Sequence, residues 1–316
     1  MNAIVNAFAF SKEHGNSFQL VEKTDDEKLN LYMKNIVVSL TSAKLKNPAD
    51  EVMLITNITV PQPYASLLDE AGISVRKVPF DCYLVPKRFS WSLAFYKLCV
   101  LRYLAEQTEY EKILLLDTDT ITMHSFEHLW KEAEHGLMLY NINHAYNHPY
   151  RGQIVACRDK FFPECKDNVV HYGGEFLCAT REVLSAWMEE CNHVFSTVMA
   201  DENAVPENIG DEEISALAAV FYRKKAPIYE AGAYIYRYWT FKKFYLISTN
   251  TVSNPVCIWH LPGEKDSGIL RMYGYYVKNK SYPAPEKAIR YFGIAKAKRP
   301  LSWHSLWHEV KKRCRK

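Results

Sequence analysis

The stretch Lys112-Ile113-Leu114-Leu115-Leu116-Asp117-Thr118-Asp119-Thr120 decides how the rest of the chain is read. Four aliphatic residues in a row predict a strand buried on both faces, as in a parallel sheet. The run then breaks into Asp117-Thr118-Asp119. In an extended chain, residues two apart point to the same side, so the two carboxylates are expected to converge where the strand reaches the surface. Open α/β sheets bind ligands at that end of a parallel strand. Two hard oxygen donors suit Mn²⁺ or Mg²⁺, which keep further positions for water and phosphate. The same residues also fit a plain turn after a strand, so context must decide.

Upstream, residues 3–10, 51–56 and 74–78 read as strands. Between and after them, residues 29–42, 64–71 and 90–104 have helical spacing, with Gly72 closing the second helix in the C-cap role. Strands alternating with helices predict βαβ units. The expected fold class is α/β, a Rossmann-like, mostly parallel sheet flanked by helices. Downstream, residues 137–141, 170–180 and 256–260 read as strands, the second interrupted by Gly173-Gly174. Residues 181–198 and 211–223 read as helices, and 143–151 as a loop rich in His, Asn and Tyr.

A chain of 316 residues, 48% hydrophobic, is large enough for one sizeable core. It contains no apolar run long enough to cross a bilayer, and its first residues lack the basic and apolar regions of a secretory signal. The eight cysteines are scattered with no C-x-x-C pair, which predicts reduced thiols and a cytoplasmic setting. The net charge is only +3, but Lys and Arg gather after residue 286, alternating with Tyr291, Phe292, Trp303 and Trp307. Polybasic segments with Trp bind anionic interfaces, so this tail predicts peripheral membrane contact. A solvated helix packing its Trp residues on the domain fits it equally. Nothing but the tail favours nucleic acid, and none is expected as a partner. The pairs His124/His128, His144/His148 and His304/His308 have zinc-site spacing, but no nearby cysteine or acid completes a set.

The segments Phe95-Tyr96-Lys97-Leu98 and Tyr110 through Thr120 together resemble glycosyltransferase family 8, the glycogenin and bacterial lipopolysaccharide galactosyl- and glucosyltransferase type. Three further motifs follow in that family's order: Gly173-Gly174-Glu175-Phe176-Leu177, Asp211-Glu212-Glu213-Ile214 and His260-Leu261-Pro262-Gly263-Glu264-Lys265. The resemblance spans roughly residues 1–266. It implies a GT-A fold over residues 1–280, with a nucleotide-sugar-binding half (1–120) and an acceptor-binding half (121–280). Residues 281–316 would form the basic aromatic appendage. It implies Asp117, Asp119 and His260 as ligands to Mn²⁺ or Mg²⁺. Ala7 and Phe8 would hold base and ribose, while Lys97, Asp117, Thr118, Gly173, Gly174, Gly263 and Lys265 would contact the donor. The late lysine of the family usually falls six residues after the histidine, whereas Lys265 falls five after His260. The family's asparagine in the glycine strand is replaced by His171, Tyr172 or Gly173, depending on register. Asp211-Glu212 stands where Asp-Gln is common.

By the same resemblance the activity is a hexosyl transfer from a nucleoside-diphosphate sugar, a UDP-sugar above all. The acceptor would be a carbohydrate, a lipid-linked glycan or a protein, and the anomeric configuration would be retained. Such transfer develops oxocarbenium-like charge on the sugar, which a nearby carboxylate stabilises. Asp211, Glu212 and Glu175 are the candidates, Asp211 first. The aromatics Tyr234, Tyr236, Tyr238 and Trp239 are candidate sugar-stacking residues. Two other classes compete: a Mg²⁺-dependent phosphatase or phosphotransferase with an aspartate nucleophile, and a non-catalytic nucleotide-sugar-binding protein.

Overall fold

Alternation along the strands decides how the chain is layered. The computed structural model describes residues 1–11, 23–142, 148–238 and 256–292, together with Trp307 and Val310. Its strands are β1 (Ala3–Phe8), β2 (Glu51–Thr56), β3 (Ser74–Lys77), β4 (Lys112–Leu116), β5 (Thr120–Thr122), β6 (Leu137–Asn141), β7 (Tyr172–Thr180), β8 (Ile228–Glu230), β9 (Ile235–Arg237) and β10 (Ile258–His260). Its α-helices are α1 (Asp25–Lys46), α2 (Tyr64–Glu70), α3 (Tyr96–Gln107), α4 (Glu127–Glu132), α5 (Pro149–Phe161), α6 (Arg181–Met199), α7 (Asp211–Tyr222), α8 (Gly268–Asn279) and α9 (Pro285–Ala288). Val5, Met53, Ile55, Ile113 and Leu115 face one apolar cluster, while Ile4, Val52, Leu54, Leu114 and Leu116 face another. A sheet apolar on both faces must be covered on both. Helices α3, α6 and α7 cover the first face, and α1, α2 and α4 the second.

The main sheet has the order β3-β2-β1-β4-β7-β6-β8. All its pairings are parallel except those of β7, which runs antiparallel to both β4 and β6. A second, three-stranded sheet has the order β5-β10-β9. The α/β class with a mostly parallel sheet is thus the one the sequence predicts.

Three differences have local causes. Helix α1 begins at Asp25, four residues before the expected start, because the acids Asp25, Asp26 and Glu27 sit in its first turn. Carboxylates are favourable at that positive end. Thr24 caps it, accepting from the Glu27 amide at 3.3 Å while the Glu27 carboxylate takes the Thr24 N–H at 2.8 Å. Residues 149–151, expected in a loop, form the first turn of α5, where Pro149 costs no hydrogen bond. Helix α8 went unforeseen because Gly268 and Gly274 dilute its pattern. It is held by Ile269 and Met272, which bury against Val38 and Trp259. Beyond α9, Phe292 is fully buried with its ring 6.1 Å from that of Trp259. Apart from the exposed Trp307 and Val310, the tail after residue 292, with Trp303, His304 and His308, lies outside the described residues. So do His144 and Trp239. Among the described residues, no helix is long and apolar enough to cross a membrane.

Candidate metal centre

Strand β4 ends at Leu116, and the chain does not continue extended. It turns through Thr118 and Asp119 into β5. Asn6 donates its side-chain amide to Leu116 O at 2.8 Å, and Thr120 Oγ1 donates to Asp117 O at 2.8 Å. The Asp117 amide donates to Glu175 O on β7 at 3.1 Å. The two carboxylates therefore converge because of a fixed turn, not through the i, i+2 alternation expected of an extended chain. Strand β10 pairs antiparallel with β5, setting His260 opposite Thr120, and Leu261 N donates to Asp119 O at 2.9 Å. One ligand atom from each of Asp117, Asp119 and His260 lies within 4.8 Å of the others.

Two half-buried lysines attend the aspartates. Lys97 Nζ lies 2.7 Å from Asp117 and 3.1 Å from Asp211, and donates to Gly174 O at 3.0 Å. Lys265 Nζ lies 2.9 Å from Asp119 Oδ2 and His260 Nε2 lies 3.4 Å from it, yet neither is aligned on that oxygen in hydrogen-bond geometry. Burial alone would raise the pKa of Asp119, but Lys265 and His260 pull it far below the carboxylate range. The late lysine thus reaches the aspartates despite its shorter spacing from His260.

Behind the cluster stands a second tier of charge. His260 Nδ1 is 3.1 Å from Glu175 Oε1, and Glu175 is 0% exposed. The Arg237 guanidinium forks onto both Glu175 oxygens and also meets Glu212 at 2.9 Å. Glu212 accepts from the Gly174 amide at 3.1 Å and lies 3.2 Å from His171 Nε2. Burial opposes the charge on Glu175, but Arg237 and His260 hold it down to about 2. Burial likewise pulls His260 down, and Asp119 and Glu175 outweigh it, raising the imidazole to about 9. Burial, with Glu212 and Asp117 nearby, raises Asp211 to about 6 against Lys97. The paired glycines of β7 are required by this crowding. A Cβ on Gly173 would strike the Glu175 carboxylate and Arg237, and one on Gly174 would strike Asp211 and Lys97.

Glu213, on the first turn of α7, is buried and accepts the Gly210 N–H at 2.7 Å. Burial, then the neighbouring Glu212, pushes it up to about 8. A group whose folded pKa is raised contributes stability below its unfolded value, near 4.5, and loses it as pH rises through about 8. Glu213→Gln keeps an acceptor for Gly210 without the charge. Its melting temperature is expected to fall less than the wild type's across that pH window. Parallel melting-versus-pH curves would clear Glu213 of the effect.

A cleft of about 150 Å³ opens beside the cluster. It is lined by Ala7, Phe8, Lys97, Asp117, Thr118, Asp119 and Lys265, so these expected residues come together. Phe10, Tyr32 and Trp91 join them. Gly263 sits in the short turn Pro262–Glu264 and, like Gly173 and Gly174, is not among the cleft-lining residues. Tyr236 is exposed, whereas Tyr238 is buried against Trp259. His124 and His128 belong to no metal-capable group among the described residues. Arg237 is the main residue that sequence reading overlooks. Its signal was a single cation inside the aromatic alternation Tyr234-Ile235-Tyr236-Arg237-Tyr238.

No protein-family model matches the chain, and no curated protein sequence matches it. Among solved structures, it is similar to mouse xyloside xylosyltransferase 1 in its apo form, with a TM-score of 0.52 and 12% identity. The match covers 84% of this chain and 99% of that one. At that identity the likeness establishes the fold, the GT-A type expected from the sequence, and no residue roles.

Proposed function

We propose that the chain is a metal-dependent glycosyltransferase, moving a hexose from a UDP-sugar to a carbohydrate, lipid-linked or protein acceptor. The observation that carries this is the Asp117/Asp119/His260 cluster, whose two aspartates line a cleft together with two lysines. The donor set fits a divalent ion. Two carboxylates and an imidazole suit Mn²⁺, and Asp119 Oδ2 is a buried oxygen that meets Lys265 at 2.9 Å without an aligned hydrogen bond. When bound, the ion supplies positive charge for the diphosphate released as the sugar departs.

The chain's own groups account for the rest. Phe8, Phe10, Tyr32 and Trp91 form an aromatic wall for the base, with Ala7 beside it. Lys97 and Lys265 bring two ammonium groups to the place of the diphosphate. Asp211 is the carboxylate we assign to the donor sugar, where its charge would steady the developing oxocarbenium. The oxygens of Glu212 are taken by Arg237, His171 and the Gly174 amide, and those of Glu175 by Arg237 and His260. Both are therefore assigned to positioning. Retention rests on the family 8 resemblance of the sequence.

Thermal melting with Mn²⁺ and a panel of nucleotide sugars tests the reading. A ligand that binds only the folded state raises stability by RT ln(1 + [L]/Kd). A UDP-sugar with Mn²⁺ is expected to raise the melting temperature more than either alone. No shift with any nucleotide sugar, joined to hydrolysis of phosphate esters, would transfer the site to the phosphatase class.

A further inference from the structure

A second cluster of metal-capable side chains lies on the other side of α3 from the cleft's aspartates. Asp81 and Cys82 belong to the loop after β3, and Cys99 to the first turn of α3. One ligand atom from each lies within 4.8 Å of the others. Cys99 is buried, Cys82 half-buried and Asp81 exposed, so the group grades from core to solvent. It opens into a cleft of about 460 Å³. Cys99 Sγ donates to Pro79 O at 3.4 Å and to Asp81 Oδ1 at 3.9 Å. Both sulfurs are free thiols. Arg102 lines the same cleft, but its Nε is tied to Glu106 at 3.0 Å, which tempers its repulsion of a cation.

The geometry points to a soft-metal site here, with Cys82 and Cys99 as thiolate ligands, Asp81 as a carboxylate ligand and a fourth position open to water. Two sulfurs and one oxygen select a borderline-soft ion such as Zn²⁺ over the Mn²⁺ or Mg²⁺ suited to the oxygen-rich cleft. Binding replaces both thiol protons, which pass to solvent. The bound ion would tie the loop after β3 to the turn of α3 that presents Tyr96 and Lys97 to the cleft. Tyr96 already makes one such tie, donating its hydroxyl to Val78 O at 2.8 Å.

The full chain, freed of metal by chelation and kept reduced, is titrated with Cd²⁺ as a spectroscopic stand-in for Zn²⁺. The expected result is a sulfur-to-cadmium charge-transfer band saturating at one equivalent. Cys82→Ser is expected to abolish the band while keeping a wild-type melting curve in the absence of metal, which shows that the half-buried position tolerates the change. Asp119→Asn is expected to keep the band, since no cysteine lines the cleft beside Asp119. No band in the wild type, or an undiminished band in both Cys82→Ser and Cys99→Ser, overturns the site.

Discussion

Asp119→Asn is expected to lower kcat/KM for sugar transfer by on the order of 10³-fold and to abolish the extra melting shift that Mn²⁺ and a UDP-sugar give together. Asp119 is only 2% exposed and stands between Lys265 at 2.9 Å and His260 at 3.4 Å. The amide removes the one full negative charge that serves both the metal and the lysine. It also removes the carboxylate that faces the half-buried Lys265 at 2.9 Å, so some loss of stability is expected as well. Stability and function must therefore be read separately. Asp117→Asn provides the second variant. Asp117 has a 24% exposed side chain, and its lysine neighbour Lys97 retains Asp211 at 3.1 Å, so a smaller loss of stability is expected with a comparable loss of the Mn²⁺-linked shift. Wild-type Mn²⁺ binding by titration calorimetry in both variants would sink the metal assignment.

The sequence carried the fold further than the site. In residues 113–116 the apolar run belongs to a strand buried on both faces, and that burial is what a continuous aliphatic pattern encodes. The antiparallel direction of β7 left no such mark, because a strand's residues alternate the same way whichever direction its neighbours run. The turn at Thr118 was equally silent: two carboxylates spaced i, i+2 converge from a strand or from a turn, and only the partners Asn6, Glu175 and Leu261 fix which. Lys97, Lys265 and His260 were legible because motifs announced them. Arg237 was not. Its role depends on Glu175 and Glu212, which lie 62 and 25 residues away in sequence, and no local pattern records a contact of that range.

That long-range contact carries the second large effect. Glu175→Gln is expected to destabilise the protein by about 3–5 kcal/mol, because Glu175 is fully buried and its loss leaves the half-buried Arg237 with the partly exposed Glu212 as its remaining carboxylate. It should also weaken Mn²⁺ binding by about 10–100-fold, since a carboxylate on the far nitrogen of a ligating histidine fixes ring orientation and basicity. Glu175 Oε1 lies 3.1 Å from His260 Nδ1, which leaves Nε2 to face Asp117 and Asp119. The two losses have separate physical origins and separate cures. In the double variant Glu175→Gln with Arg237→Gln, the uncompensated guanidinium is gone and much of the stability should return. The carboxylate behind His260 is still missing, so Mn²⁺ affinity should stay low. Chemical denaturation reads the first quantity and calorimetric titration the second. Recovery of both in the double variant would mean that Glu175 serves only to neutralise Arg237, and that His260 is oriented by its strand pairing with Thr120 alone.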